Sequence, residues 1–185
     1  MTTPTQRFEP FKPFTASEFQ VKFATETWEK RGAAALRRQV FCLEQGLFQG
    51  DDRDAIDATA IPLVAISLLG VAADEVVGTV RIHEAEPGLW WGSRLAVAPA
   101  YRRLSALGTA LIQLAVSSAH ARGCQRFLAH VQAQNAPLFH RLHWRTLEQI
   151  ELLGHPHHKM EADLSFYPPF EHAEAGFYAL REKAA

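Results

Sequence analysis

Residues 96–115 read AVAPAYRRLSALGTALIQLA. The end of an apolar strand runs through Pro99 into Arg102 and Arg103, and a single Gly108 precedes an amphipathic run. Anion-cradling turns have this form, because the first turn of a helix carries unpaired N–H groups and the positive end of the macrodipole. Small residues at Ala106 and Gly108 let an anion approach the backbone, and two guanidinium groups add charge-assisted bonds. The same letters also spell an ordinary strand-to-helix connection with two solvated arginines. The stretch alone leaves that choice open.

Upstream, three strands follow in quick succession: Leu63–Leu69, Val76–Glu84 and Leu89–Val97. The turns Asp74-Glu75 and Glu86-Pro87-Gly88 suit short antiparallel connections. Leu63–Leu69 is apolar throughout, as in a strand buried on both faces. Before them lie a short strand at Phe19–Ala24 and helical spacing from Thr27 to about Gln45 (Trp28, Leu36, Val40, Phe41, Leu43), broken near Gly32. An acidic loop, Gly46–Asp57, separates these parts.

Downstream, Leu104–Arg122 is the clearest helix, with Leu107, Leu111, Leu114, Ala115 and Ser118 on one stripe and Gly123 as its stop. Phe127–Val131 is a strand and Ala136–Leu142 a short helix. Thr146–Leu153 and Lys159–Leu164 form a hairpin across Gly154-His155-Pro156-His157-His158. Residues 1–18 form an extended arm bearing Phe8, Phe11 and Phe14, residues 19–168 the domain, and residues 169–185 an extension with a helix over Ala173–Lys183. The expected fold is a mixed α/β domain: a central, mostly antiparallel sheet with helices on both faces.

Composition narrows the function. At 185 residues, 48% hydrophobic and 21% charged, the chain suits one globular domain. A formal charge of −1 gives no overall attraction to nucleic acid or to an acidic membrane. Cys42 and Cys124 make neither a disulfide framework nor a zinc spacing, which suits a cytoplasmic protein. The first residues lack the basic-then-apolar layout of a secretory leader, and the run Ile61–Ala73 is short of the roughly 20 residues that span a bilayer. His155-Pro156-His157-His158 is rich in metal-ligand residues but has no carboxylate or cysteine at ligand spacing, so no metal site is expected.

Three motifs, in this order along the fold, resemble the GNAT superfamily of acyl-CoA-dependent N-acyltransferases. Arg103-x-x-Ala106-x-Gly108, at the end of Leu95-Ala96-Val97, is similar to the family's Arg/Gln-x-x-Gly-x-Gly/Ala loop. Asn135-Ala136-Pro137-Leu138-Phe139-His140-Arg141-Leu142-His143-Trp144 is similar to its later Asn and aromatic motif, with His143-Trp144 in the Gly-Phe place. Arg38-Gln39-Val40-Phe41-Cys42-Leu43-Glu44-Gln45-Gly46, followed by Asp54 and Asp57, looks like the Val-Phe-x-x-Glu-Gln segment of a bacterial branch. The combination is also similar to a small bacterial group linked to nitrilase-containing gene clusters and nitrogen starvation. The resemblance implies a GNAT-like fold with a parallel strand pair at the cofactor cleft. It implies acetyl-CoA as donor, held by Leu95, Ala96, Val97, Arg102, Arg103, Leu104, Ser105, Ala106, Leu107, Gly108, Thr109, Asn135 and Phe139, and a small amine as acceptor. The Phe-rich arm is compatible with a homodimer.

N-acetylation by direct attack needs a neutral amine, donors for the oxyanion and a route for the thiolate. Phe139 stands where many members of the superfamily hold an acidic Tyr, and Trp91 where others hold a basic Glu. Both are inert. Replacement candidates are Glu84, whose neighbour His83 takes the opposite strand face, with Glu44 and Asp57 beside the expected acceptor pocket and His140 as acid. The loop Asp51-Asp52-Arg53-Asp54 with Glu44 suggests a cationic acceptor. Three readings stay open: an N-acetyltransferase, an acyl-CoA-binding sensor or complex partner with little turnover, or an enzyme that transfers the acyl group to a non-amine acceptor.

Overall fold

The computed structural model describes residues 14–180 apart from Leu104. Its centre is an eight-stranded sheet among the described residues, in the order β6-β7-β5-β4-β3-β2-β1-β8. The strands are β1 (Glu18–Phe23), β2 (Ile61–Leu69), β3 (Ala72–Glu86), β4 (Leu89–Val97), β5 (Arg126–Gln132), β6 (Trp144–Leu152), β7 (His155–Ala162) and β8 (Phe177–Leu180). Every pairing is antiparallel except β4 with β5. Among the described residues three α-helices complete it: α1 (Thr27–Arg37), α2 (Ser105–Ala121) and α3 (Ala136–Arg141).

The run of apolar residues in β2 follows from its place between two layers. Leu63 and Ala65 join the large core under α2, whereas Val64 and Ile66 pack with Ala33 of α1 on the opposite face. The sheet is thus covered on both faces, and a strand at its middle has no polar side to show. Helix α2 is apolar well beyond one stripe: Ala110, Ile112, Val116, Ser117 and Ala119 are buried along with Leu107, Leu111, Leu114, Ala115 and Ser118. Its N-terminal approach is fixed by Tyr101, which is buried, meets Phe19 edge-on at 5.5 Å and accepts a hydrogen bond from the Ala16 N–H at 3.3 Å.

Four expectations are corrected. First, α1 runs unbroken through Gly32 and continues as a π-helix over Arg38–Glu44. Gly32 is there for contact, since a Cβ would lie 2.6 Å from Val76 Cγ2. Second, the β2–β3 turn falls at Gly70 and Val71, with Gly70 at φ 63, and Asp74-Glu75 lies inside β3. Third, His155–His158 lie in β7, and the hairpin turns instead at Leu153-Gly154. Fourth, the described part of the C-terminal extension holds no helix: it runs through a turn into strand β8, antiparallel to β1. Gly176 permits that pairing: a Cβ there would sit 1.9 Å from the Val21 carbonyl oxygen. Apolar spacing cannot tell such a short edge strand from a helix. Phe8 and Phe11 of the arm, and residues 181–185, lie outside the described residues.

Gly32→Ala is expected to destabilise the fold by about 1–3 kcal/mol, because an overpacked methyl must displace Val76. Thermal unfolding would show a Tm lowered by roughly 3–10 °C. The penalty should shrink in a Val76→Ala background, where the displaced side chain is absent.

Candidate active site

β4 and β5 stay in register from Leu89 opposite Arg126 to Gly92 opposite Ala129, and their pairing ends there. The cause lies on the other edge of β4. Between the pairs Arg81–Ser93 and Thr79–Ala96, the two residues Arg94 and Leu95 face Val80 alone. This is a β-bulge, which bends its strand and increases the local twist. Arg94 sits in the left-handed region at φ 58, a strained conformation for a side chain of its size.

Arg94 is held there from three sides. Its Nε donates to Asp52 Oδ2 at 2.9 Å, its Nη2 donates to the Asp52 carbonyl at 3.0 Å, and its guanidinium lies 4.5 Å from the Phe48 ring centroid. Asp52, with 2% of its side chain exposed, also accepts from Arg37 Nε at 2.8 Å. Arg37 reaches Asp57 through two bonds of 2.6 and 3.1 Å, and Arg81 grips Asp54 through two of 2.7 Å. Arg81 also approaches Asp57 at 2.8 Å and donates to Ser93 Oγ at 2.9 Å. Three arginines therefore meet three aspartates in one partly buried network.

This network changes the reading of the acidic loop. Asp52 and Asp54 are neutralised by arginines, so the loop does not form an anionic wall for a cationic acceptor. Burial alone would raise the Asp57 carboxyl, but hydrogen bonds from Arg37, the Asp54 N–H and Arg81 hold it well below the usual carboxylate range. It is a paired structural ion.

The Ala98 N–H donates to the Val77 carbonyl at 2.8 Å, which places Ala98 opposite Val77 as a bonded pair. By the alternation of an antiparallel ladder, the backbone groups of Val97 and Leu95 turn away from β3, into the gap left by β5. Seven residues separate the end of β4 at Val97 from the start of α2 at Ser105, with Gly108 in the first turn of the helix; a Cβ on Gly108 would meet nothing within 4 Å. Unpaired strand edge and helix terminus therefore share one cleft, suited to an amide-containing chain that ends in an anion.

The remaining sequence candidates are distributed around this cleft. Ala96 is buried against Leu36, Val40 and Phe41, and Leu107 faces the core. Ala106 and Thr109 share the first turns of α2 with Ser105. Leu104 lies outside the described residues. Arg102 is engaged within the protein, donating to the Val97 carbonyl at 2.9 Å and to Glu44 at 2.5 Å, so Glu44 braces the loop. Arg103 is exposed beside it. Asn135 and Phe139 line the cavity, with Phe139 edge-on to Trp144 at 5.1 Å. Glu84 is not among the lining residues: its Oε1 accepts from the Gly88 N–H at 2.8 Å in the β3–β4 turn. His140 is exposed, and its Nε2 lies 3.0 Å from Thr146 Oγ1, away from the cavity lining.

The cavity has a volume of about 390 Å³ and passes through the sheet where β4 and β5 separate. On the α1 side it is lined by Arg81, His83, Trp91, Ser93 and His130, with Phe48 and Ile56 from the loop. Trp91 and His130 stand 4.8 Å apart, ring to ring. His83 Nδ1 is buried and has no hydrogen-bond partner. Burial, reinforced by Arg81, holds the His83 imidazole below the usual histidine range, so it is neutral at pH 7. Glu84 was the expected base, with His83 its neighbour on the opposite strand face; it is His83 that lines the cavity. Among the described residues no group of three or more His, Cys, Asp or Glu is arranged to hold a metal ion.

The family profile described as the Acetyltransferase (GNAT) family matches residues 33–144. The chain belongs to the GNAT acetyltransferase family. Solved structures agree on the fold of this GNAT chain. A proposed N-acetyltransferase from Lactobacillus plantarum superposes with a TM-score of 0.69 at 21% identity, covering 78% of this chain and 97% of its own. Escherichia coli ElaA gives 0.65 at 20%, with 78% and 98% covered. The CoA-dependent acyl-homoserine lactone synthase BjaI, solved with SAM and isopentyl-CoA, gives 0.58 at 17%, with 74% and 77% covered. No curated protein matches the sequence. Among the described residues, no helix is long and apolar enough to cross a membrane.

Removing Asp52 leaves Arg37 and Arg94 short of a buried partner, so Asp52→Ala should cost about 3–5 kcal/mol in denaturant unfolding. Acid should act in two stages. His83 charges more readily unfolded than folded, so its contribution is full above pH 6.5 and is lost as pH falls below that value. Asp54 and Asp57 have folded values held below 3.8, so their contribution is full above that value and is lost below it. A Tm profile from pH 8 to 3 should therefore show a shallow and then a steep decline, the first reduced in His83→Gln.

Proposed function

We propose that the protein is an acyl-CoA-dependent N-acyltransferase that moves an acyl group, acetyl in the simplest case, onto the amine of a small molecule by direct attack. One observation carries this reading: the edge of β4 at Leu95 and Val97, which β5 does not pair and where the Val97 carbonyl accepts only from Arg102, leads within seven residues into the N-terminus of α2. The edge supplies N–H and C=O groups to the amides of a pantetheine arm, and the helix terminus with Arg103 suits the diphosphate. A backbone N–H in the bulge is placed for the oxyanion, a role that side-chain substitution leaves intact. BjaI, solved with SAM and isopentyl-CoA together, supports pairing a small molecule with an acyl thioester on this fold.

The proton acceptor in this reading is His83. It lines the α1 side of the cavity, has an unpartnered ring nitrogen and is neutral at pH 7. A neutral imidazole can take the proton of the attacking ammonium or of the tetrahedral adduct, directly or through one water. This supplies the function that Trp91 and Phe139 cannot. The leaving thiolate has a conjugate thiol pKa of about 8.5, so it departs without a dedicated acid. The cofactor-facing assignments of Leu95, Val97, Arg103, Gly108, Asn135 and Phe139 belong to this same proposal.

CoA and acetyl-CoA should raise the Tm in a thermal-shift titration; no stabilisation by either would sink the reading. Release of free thiol over a panel of small amines then separates turnover from binding alone, the behaviour of a sensor or complex partner. Arg103→Ala should raise the apparent KM for the thioester several-fold with kcat nearly unchanged. His83→Ala should lower kcat about 10²-fold or more, with its loss greatest at neutral pH. Glu84→Gln, which touches only the hairpin turn, should keep the wild-type pH profile.

A further inference from the structure

Helix α1 packs on β2, β3 and β4, and the cavity reaches past it to His130 of β5 and His157 of β7. Phe127, Ala129 and Val131 of β5 turn into the core under α2, so strand alternation puts His130 on the α1 face. Lys159 of β7 is the register partner of His130 and shares that face. Trp91 of β4 joins them: its ring lies 4.8 Å from that of His130, and Lys159 Nζ stands 5.9 Å from its centroid. The register partner of Trp91 on β3 is His83. One half-buried indole therefore has the proposed proton acceptor on one flank and two basic side chains on the other.

Carboxylates around these side chains are already spent. Asp52, Asp54 and Asp57 are held by the arginines described above, and Glu161 of β7 is gripped by Arg126 at 2.7 Å and by Arg145 at 2.6 Å. Among the described residues neither Lys159 nor His130 enters an ion pair. Glu148 stands opposite Lys159 on β6, but Lys159 turns its ammonium the other way, over Trp91. The indole face attracts the ammonium without using up its N–H donors, which stay free for an anion.

We infer that His130 and Lys159 form an anion subsite beside Trp91, and that the acceptor is an amine carrying its own carboxylate, an amino acid in the simplest case. The inference rests on the acyltransferase reading above. The acceptor's amine lies on the His83 flank of Trp91, and its carboxylate takes N–H donors from Lys159 and His130. The indole packs against the carbon that joins the two groups. A polyamine would bring its second ammonium against Lys159 and is disfavoured. The cavity mouth thus has the opposite preference to the one that the acidic loop suggests in the sequence.

Thiol release from acetyl-CoA, measured over matched sets of acceptors, tests this. Each set holds an amino acid, its amide and its decarboxylated amine, with aliphatic, aromatic and acidic side chains covered and rates referred to the unprotonated amine. In at least one set the amino acid should exceed both partners at least tenfold in kcat/KM, as a charge-assisted hydrogen bond requires. Lys159→Met should bring that ratio to within about threefold through the KM of the amino acid, and Lys159→Arg should keep it. His130→Phe, which keeps the ring and loses the N–H, should lower the ratio several-fold. A Tm raised by CoA is the control that each variant is folded, and His130→Phe decides if Lys159→Met fails it. Amides or decarboxylated amines that match the amino acid in every set overturn the subsite and leave the acyltransferase reading standing. Discrimination that persists in both variants also overturns it. Binding of CoA with no thiol release to any amine overturns the subsite and the transfer reading together.

Discussion

One carboxylate holds the site open. Asp52 is almost completely buried and binds Arg37 at the end of α1 and Arg94 at the bulge of β4. A buried anion is tolerated only when it is paired and hydrogen-bonded, so the two guanidinium groups are fixed where Asp52 needs them. Arg94 is thereby kept in a backbone conformation it would not adopt alone, and the strand that carries it bends. The end of the β4–β5 ladder, the exposed edge at Leu95 and Val97 and the passage through the sheet all follow from that bend.

The chemistry divides along the same line. Charge on the α1 side is spent within the protein, arginine against aspartate, which leaves neutral His83 lining the cavity with its buried Nδ1 unpartnered. A network that looks like an electrostatic lure in the sequence is therefore a scaffold in the structure. It lets an uncharged imidazole sit among six ions without one of them hydrogen-bonding to it.

Much of the fold was legible because the governing signals are local. Two-sided burial of β2, the helix that begins near Ser105 and the turn at Pro87-Gly88 each carry their own periodicity or turn chemistry. What was not legible depends on distant partners. Gly32 looks like a helix breaker until Val76 is seen against it, and β8 looks helical until Gly176 is seen against Val21. The loop at Arg102–Gly108 was singled out from its small and cationic residues, and Glu84 was the expected base, with strand alternation allowing only one of it and His83 to face the site. The answer needed the register, which places the cavity on one face of β3 and the hairpin turn at Glu84. The bulge had no sequence signal at all: nothing about Arg94 marks it for positive φ except the loop 42 residues earlier that holds it.

The parallel seam has a mechanical meaning as well. Only four residue pairs, from Leu89–Arg126 to Gly92–Ala129, join the strands β8, β1, β2, β3 and β4 to the strands β5, β7 and β6. The sheet is therefore two plates riveted at one end, with slow amide exchange expected deep in each plate and faster breathing along the seam. A chain that bonded to the free edge of β4 while touching β5 would act as the missing strand between them. Under the proposed function the substrate would be a structural member for as long as it is bound, and its departure would return the sheet to two parts.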